Sequence, residues 1–312
     1  MMSSVFIDGQ AGTTGLQIAS RLAARDDIEL LEIPEAERKH ADAKKQFFDA
    51  ADVVILCLPD AAAREAVLLA PEARVLDAST AHRTAKDWVY GMPELDPAQR
   101  GAIRDAKLVS NPGCYPTGFI LLIRPLIDAK ILSPSVPLRI HAISGYSGGG
   151  KKLISKYQER DDDAWRTRPY ALDLQHKHIP EMRHYAGTGP TPLFVPMVGH
   201  FYKGMLVQVP LFFQEFDKKV DLRDIHDILK QRYASEVFVD VLPLGAADAL
   251  DEGFISPTAC NDSNRIELMV FGNGEHVVLS ARYDNLGKGA SGAAVQNLNL
   301  MLGLDECAGL HA

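Results

Sequence analysis

The stretch Ser4-Val-Phe-Ile-Asp-Gly9-Gln-Ala-Gly12-Thr13-Thr14-Gly15-Leu16-Gln-Ile18-Ala19-Ser-Arg-Leu22 decides the reading of the fold. A short apolar run (4–8, SVFID) meets three glycines spaced Gly9-x-x-Gly12-x-x-Gly15. Leu16, Ile18, Ala19, Leu22 and Ala23 then follow at helical spacing. This predicts a strand, a tight turn and a helix. The same alternation continues downstream. IELLEI at 28–33 predicts a second strand, and a charged, Ala-rich helix runs to residue 50. DVVILCLP at 52–59 is a continuous apolar run bounded by Pro59, the pattern of a strand buried on both faces. A helix at 60–70 and a strand at 74–77 (RVLD) come next. Alternating strands and helices make parallel βαβ units with right-handed crossovers. The first ~110 residues are therefore expected to form a Rossmann-type, doubly wound α/β domain with a parallel sheet.

After residue 137 the pattern changes. Strands are expected at 138–143, 193–198, 204–213, 236–242, 265–271 and 276–283, and an amphipathic helix with an Asp cap at 221–234. This half reads as an α+β domain with a mainly antiparallel or mixed sheet. Residues 144–192 form the least regular stretch, and 289–302 revert to helix.

The chain has 312 residues, and a typical domain of about 150 suggests two domains. At 46% hydrophobic and 24% charged, it is neither a disordered chain nor a fibre nor a disulfide-framed miniprotein. A net charge of −8 with no basic block argues against nucleic-acid and anionic-membrane partners. No apolar run is long enough for a membrane helix, and the first Arg is Arg21, so the N-terminus reads as a strand rather than a signal peptide. Four cysteines without a C-x-x-C pair make a zinc site unexpected and imply a reduced, cytoplasmic setting.

Five segments have the chemistry of a site. The glycines 9, 12 and 15 would let a backbone approach a pyrophosphate at a helix N-terminus, although the spacing departs from G-x-G-x-x-G. A tight strand–helix turn is the plainer reading of the same residues. Arg38 and Lys39, just after the second strand, suit the 2′-phosphate of NADP, against Glu35 and Glu37 in the same turn. A solvated helix start explains those residues equally well.

Asn111-Pro-Gly-Cys114-Tyr-Pro116-Thr117 lies between strand 107–110 and an apolar helix expected at 119–131, which Pro125 would kink. Cys114 thus falls at a helix N-terminus, where thiolate is stabilised and a nucleophile is made. A small buried hydrophobe is the alternative, and it is the reading for Cys57, Cys260 and Cys307. His176-Lys-His178-Ile-Pro-Glu181 offers a proton donor, with Glu181 to hold an imidazole in one tautomer. Two histidines two residues apart could ligate a metal, but no third ligand at regular spacing accompanies them. Gly145 to Lys151 fits G-x-x-x-x-G-K, but Lys152 stands where a phosphate-binding loop needs Ser or Thr for magnesium. A Gly/Ser loop for an oxyanion fits better, with Arg83 a further anion clamp. Asp284-Asn285-Leu-Gly-Lys-Gly289 opens the last helix with small residues that suit close packing or a ligand.

Together these residues resemble the N-acetyl-gamma-glutamyl-phosphate reductases, in their shorter subfamily. The most specific pieces are Asn111 to Thr117 and Asp284 to Ala290, with Val295-Gln-Asn-Leu-Asn299 behind them. Cys57-Leu-Pro-Asp60 and Ser79-Thr-Ala-His-Arg83 point to the shorter form. The resemblance covers nearly the whole chain. It implies kinship with aspartate-semialdehyde and glyceraldehyde-phosphate dehydrogenases. It also implies a cofactor domain at 1–113 plus 286–312, a catalytic and oligomerisation domain at 114–285, and a last helix returning to the first domain. The activity implied is NADPH-dependent reduction of N-acetyl-L-glutamyl 5-phosphate to the 5-semialdehyde, in arginine biosynthesis, by a homo-oligomer (dimer or tetramer).

Carried over, Cys114 is the nucleophile. His178 is the acid/base, with His176 the second choice and Glu181 behind them; Ile179 departs from the longer subfamily's pattern. Gly9, Gly12, Thr13, Thr14 and Gly15 would meet the coenzyme phosphates, Arg38 and Lys39 its 2′-phosphate, and Asn285 the nicotinamide amide. Arg83, Asn111, Ser144 and Ser147 are expected contacts to substrate phosphate or carboxylate, and Lys203 a weaker one. An aspartate-semialdehyde dehydrogenase-like acyl-phosphate reductase is the nearest alternative, and a non-catalytic, nucleotide-binding redox sensor a more distant one.

Overall fold

The computed structural model describes residues 2–38, 40–160 and 165–312. The chain divides into two compact units, Met1–Pro112 with Ala290–His311, and Gly113–Gly289.

In the first unit, β1 (Ser3–Asp8), β2 (Ile28–Leu31), β3 (Val53–Leu56), β4 (Val75–Asp77), β5 (Val89–Tyr90) and β6 (Leu108–Ser110) form one sheet in the order β2-β1-β3-β4-β6-β5. Every pairing is parallel. Alternate residues of each strand feed opposite cores. Val5, Ile7, Val53 and Ile55 pack with α1 (Thr13–Leu22) through Ile18, Ala19 and Leu22, and with the returning helix Gly292–Leu302 through Ala294, Val295, Leu298 and Met301. Phe6, Val54 and Leu56 pack on the other face with Phe48 of α2 (Ala41–Ala50) and Ala63 and Ala66 of α3 (Asp60–Leu69). This two-sided burial is why β3 is apolar at every position rather than alternating. The crossovers leave β1 to either side, toward β2 and toward β3, so the switch point of the sheet lies at the carboxyl end of β1.

The second strand stops at Leu31, short of the expected residue 33, because Pro34 follows and begins a turn. The two-residue β5 and the helix α4 (Gln99–Asp105) were not expected; both are too short to give a period. The polar run Gln296-Asn297-Leu298-Asn299 is fully buried, and its side-chain amides donate inside the unit. Gln296 donates to Glu94 and Glu306, Asn297 to the Gly91 carbonyl, and Asn299 to the carbonyls of Glu306 and Ala308.

The second unit holds α5 (Cys114–Asp128), β7 (Arg139–Gly145), α6 (Gly150–Gln158), β8 (Thr167–Pro169), α7 (Ile179–Ala186), β9 (Leu193–Gly199), β10 (Met205–Phe212), α8 (Leu222–Arg232), β11 (Val239–Val241), the hairpin β12 (Leu250–Asp251) and β13 (Phe254–Ile255), β14 (Ile266–Gly272) and β15 (His276–Tyr283). Seven strands make a mixed sheet in the order β11-β14-β15-β10-β7-β9-β8. Its centre, β14-β15-β10-β7, is antiparallel, while β7 pairs parallel with β9 and β11 parallel with β14. Along β10, Met205, Val207, Val209 and Leu211 are buried while Leu206, Gln208 and Pro210 are half-buried. Helix α5 packs against β10 and β15, and against α7 and α8. The expected strand 236–242 shrinks to three residues. The stretch 144–192, expected to be irregular, contains α6, β8 and α7. The helix expected at 119–131 begins five residues earlier, because Pro116 falls in the first turn, where a missing N–H costs nothing. Pro125 lies within that helix. Asp221 caps α8 as expected, accepting from the amides of Arg223 and Asp224 while Asp224 accepts from the Asp221 amide. Among the described residues no helix is long and apolar enough to cross a membrane.

One cation serves two helix ends in the first unit. Arg74, just before β4, donates to the carbonyl of Met301 (2.6 Å) in the last turn of the returning helix, and to those of Arg104 (2.8 Å) and Ala106 (3.1 Å) at the end of α4. These carbonyls lack intrahelical partners. Arg74→Ala should therefore destabilise the protein by about 2 kcal/mol, read as a lower urea midpoint at unchanged slope.

Candidate active site

Helix α5 starts at Cys114, with Gly113 as its N-cap in extended backbone (φ −76°, ψ 153°). Three long-range contacts hold that turn. The hydroxyl of Tyr283, at the end of β15, donates to the Cys114 carbonyl (2.6 Å) and accepts the Gly118 amide (3.1 Å). A Cβ on Gly118 would lie 2.8 Å from that hydroxyl, so only glycine leaves it room. Glu181, on α7 and 2% exposed, accepts the Gly113 amide at 2.6 Å. Gly289 presses close enough that a Cβ there would lie 3.1 Å from Cys114 Cβ. Cys114 itself is half-buried, so a substrate can reach it, and the N-terminus of a 15-residue helix favours its thiolate.

The other thiols differ. Burial pushes Cys57 up to about 12, with Asp77 and Asp8 adding to it, and Cys260 up to about 11. Burial likewise raises Cys307. Tyr115, Tyr170 and Tyr283 are all held above the usual tyrosine range, by burial first and by the Cys114 charge among the lesser causes. Each therefore stays a neutral hydroxyl.

The two histidines lie on the segment that leads into α7. His178 is the N-cap of that helix and is 6% exposed. Its amide donates to Nδ1 of His176 (3.2 Å). Both rings lie near Tyr115, the residue after Cys114, with ring centroids 5.8 Å away for His176 and 6.0 Å for His178. Pro180 and Glu181 continue the first turn, so one short helix presents both an imidazole and the carboxylate that holds Gly113. Cys114 is thus brought together with His176, His178 and Glu181 of a segment distant in sequence. Glu181 has a role the sequence did not suggest, since it grips the backbone before the cysteine.

A second cluster braces the loop after β7. Ser144 is the penultimate residue of β7, and Ser147 lies in the 3-10 turn Tyr146–Gly149; both are buried. Asn285 holds this loop, donating from Nδ2 to Ser147 Oγ (3.0 Å) and accepting the Gly204 amide at Oδ1 (2.8 Å). Gly145 packs so tightly on Tyr202 and Lys203 that a Cβ would lie 2.6 Å from the Tyr202 carbonyl. Lys203 pairs with Asp262 and lies 3.8 Å from Asp284. Its charge is largely spent on these carboxylates, which weakens it as an anion contact. Asp284 in turn accepts the amides of Asp262 and Leu286. Residues 283–289 therefore touch both clusters, Cys114 through Tyr283 and Gly289, and the serine loop through Asn285.

In the first unit, the turn after β1 depends on two of its three glycines. Gly9 has φ +89°, and a Cβ there would lie 2.4 Å from the Cys57 carbonyl. A Cβ on Gly15 would lie 2.7 Å from the Gly9 carbonyl, whereas one on Gly12 would meet only ordinary contacts. Gly12 is the N-cap of α1, has no side-chain cap bond, and no acidic residue follows in the first turn. Thr13, Thr14 and Gly15 thus open a helix end suited to an anion, which is what a dinucleotide pyrophosphate requires. Lys44 neutralises Asp8 beside this turn with two contacts of 3.0 and 2.8 Å, a pairing across 36 residues that no motif signals.

Arg38 ends the 3-10 turn Glu35–Glu37 and is exposed. Lys39 lies outside the described residues. Arg83 donates to the carbonyls of Asn111 (2.9 Å) and Ala78 (3.2 Å). Asn111 is 1% exposed; its Nδ2 donates to the Ala290 carbonyl and its Oδ1 accepts from Asn297. Asn111 and Asn297 therefore brace backbone inside this unit.

Residues 29–103 match the semialdehyde dehydrogenase, NAD binding domain, and residues 114–285 the semialdehyde dehydrogenase, dimerisation domain. The chain is 52% identical to N-acetyl-gamma-glutamyl-phosphate reductase 2 of a Nostoc species, over 98% of both chains. It is 48% identical to N-acetyl-gamma-glutamyl-phosphate reductase of Brucella suis, over 97% of this chain and all of that one. Among solved structures, aspartate semialdehyde dehydrogenase II of Vibrio cholerae aligns with a TM-score of 0.70 at 17% identity, covering 97% of this chain and 98% of that one. Aspartate semialdehyde dehydrogenase with NADP from Candida albicans gives 0.69 at 15%, covering 97% and 99%; both likenesses speak for the fold alone. At half-identity over its full length to enzymes of that name, the chain belongs to the N-acetyl-gamma-glutamyl-phosphate reductase family of semialdehyde dehydrogenases.

Proposed function

We propose that this protein reduces N-acetyl-L-glutamyl 5-phosphate to N-acetyl-L-glutamate 5-semialdehyde with NADPH, in the cytoplasm and on the route to arginine, through a thioester on Cys114. The observation that carries this reading is Cys114 at the head of α5, fixed through its own carbonyl by Tyr283, with His178 and Glu181 on a neighbouring helix start. The Cys114 thiolate attacks the acyl carbon. The bond from carbon to the phosphate oxygen breaks, inorganic phosphate leaves, and a thioester forms. When bound, NADPH supplies the hydride that this carbonyl accepts more readily than the acyl phosphate does. His178 then protonates the oxyanion of the thiohemiacetal. Collapse breaks the C–S bond, the hydroxyl proton returns to His178, and Cys114 is released as thiolate for the next cycle. Ser144 and Ser147, set in a rigid loop by Asn285, suit the substrate's phosphate or carboxylate.

The cofactor chemistry belongs to the first unit and the acyl chemistry to the second. The Gly12 turn fits the dinucleotide phosphates, and Arg38 with Lys39 the 2′-phosphate. The Asn285 amide already bonds Gly204 and Ser147, so a nicotinamide would share it through its second N–H or the second lone pair of Oδ1. The match to a dimerisation domain supports a homo-oligomer, for which the half-buried apolar positions Ile143, Val195, Met197 and Leu206 on one side of the second sheet offer a surface.

Cys114→Ser should lower kcat by about a thousandfold or more while NADPH still binds, measured by coupled NADPH oxidation with acetylglutamyl phosphate, and with aspartyl phosphate as the competing substrate. Turnover near wild type would remove the thioester. Arg38→Ala should raise KM for NADPH about tenfold or more, the worth of a charge-assisted phosphate contact, and leave KM for NADH in place. Equal effects on both would remove the 2′-phosphate role.

A further inference from the structure

His176 makes a bond that its neighbour cannot share. Its Nδ1 accepts the backbone amide of His178 at 3.2 Å, so that nitrogen has no proton. A neutral ring must then bear its hydrogen on Nε2, which lies 3.4 Å from the hydroxyl of Tyr170. The direction of the remaining bonds is forced from the far end. Tyr115 donates to the carbonyl of Met197 (3.4 Å), which only accepts. Tyr170 donates to Tyr115 (3.2 Å), so its own oxygen is left to accept from His176. The chain of donors runs His176 to Tyr170 to Tyr115 to Met197, with each hydroxyl donating once.

The surroundings suit a ring without charge. His176 is packed edge-on against Phe194 (5.2 Å), Tyr115 and Tyr170, and lies 4.8 Å from the His178 ring. Burial first and Lys177 second, opposed by Asp173, drop its pKa to about 4. A proton donor for turnover at neutral pH needs a ring that can hold a proton there, and both nitrogens of His176 are already committed. The bond to the His178 amide does something else. It fixes the turn by which the chain enters α7, and so the direction in which the His178 side chain leaves. Tyr115 at the other end of the relay is the residue after Cys114, so the same bonds tie the imidazole segment to the nucleophile's helix.

We propose that His176 is a neutral positioning residue, which sets His178 at the head of α7 and couples it through Tyr170 to Tyr115 and the Cys114 turn. The proposal rests on the assignment of Cys114 and His178 as the reacting pair, and it divides two adjacent histidines into one that exchanges protons and one that does not.

Nitrogen-15 spectra of the full chain, labelled at its ten histidines, test it directly. The His176 ring, assigned by its loss in His176→Gln, should remain the neutral Nε2–H tautomer between about pH 5.5 and 8.5, where an ordinary histidine titrates. Kinetics give the second readout. His176→Asn places an amide oxygen near the Nδ1 position, whereas His176→Gln extends past it and His176→Leu offers no acceptor. The Asn variant should exceed the other two in kcat by at least about tenfold, with KM for the acyl phosphate little changed, because placement of His178 is felt in the chemical step. The pH profile of His176→Asn should keep the wild-type inflection, and that of His178→Asn should lose it. Titration of His176 inside that window, an Nδ1–H tautomer, or equal losses in the Asn, Gln and Leu variants would overturn the proposal. If the Leu variant fails to fold, the wild-type spectrum and the Asn–Gln pair still decide. If Cys114→Ser kept its turnover, the acyl-transfer reading would fall while the tautomer of His176 remained measurable on its own.

Discussion

The structure depends most on the hydrogen bond from the Tyr283 hydroxyl to the carbonyl of Cys114. A cysteine at a helix N-terminus gains acidity only if its own carbonyl and the amides after it keep one direction. Tyr283 holds both ends of that turn, since the same oxygen accepts the Gly118 amide. Glu181 fixes the residue before it through the Gly113 amide. Cys114 is thus positioned through its backbone on two sides.

These contacts sort the residues around the site by function. Asn285, Asn111 and Lys203 have the composition of ligand contacts, yet much of their bonding capacity is used inside the protein, on Ser147 and Gly204, on Ala290 and Asn297, and on Asp262. Buried polar groups must be satisfied, and here that requirement builds the rigid frame for a smaller reacting set. A site fixed in advance to within a hydrogen bond's length accelerates acyl transfer more than an adaptable one.

Much of this was legible in the sequence, for reasons that can be named. β3 and the Gly9–Gly15 turn are local patterns, and a run of apolar residues or a glycine at positive φ leaves its mark within a few positions. The Asp221 cap of α8 and the place of Cys114 at the head of α5 are local in the same sense. What could not be read was long-range or too short. Tyr283 lies 169 residues from Cys114, and Glu181 lies 68 from Gly113; no spacing encodes such partners. β5, two residues long, falls below any period, and β11 is shorter than the strand expected at 236–242. The buried Gln296, Asn297 and Asn299 resemble the polar face of a surface helix until their partners are known.

The discontinuity of the first unit bears on how the chain is made. Its core includes Ala294, Val295, Leu298 and Met301, and Arg74 has the carbonyl of Met301 as one of its acceptors. During synthesis the first 112 residues emerge early but lack that wall until the final helix leaves the ribosome. The whole of Gly113–Gly289 can condense in the meantime. The segment between the two halves of the first unit is thus complete before that unit's own core is, and one apolar flank of the early sheet stays uncovered until the last helix arrives.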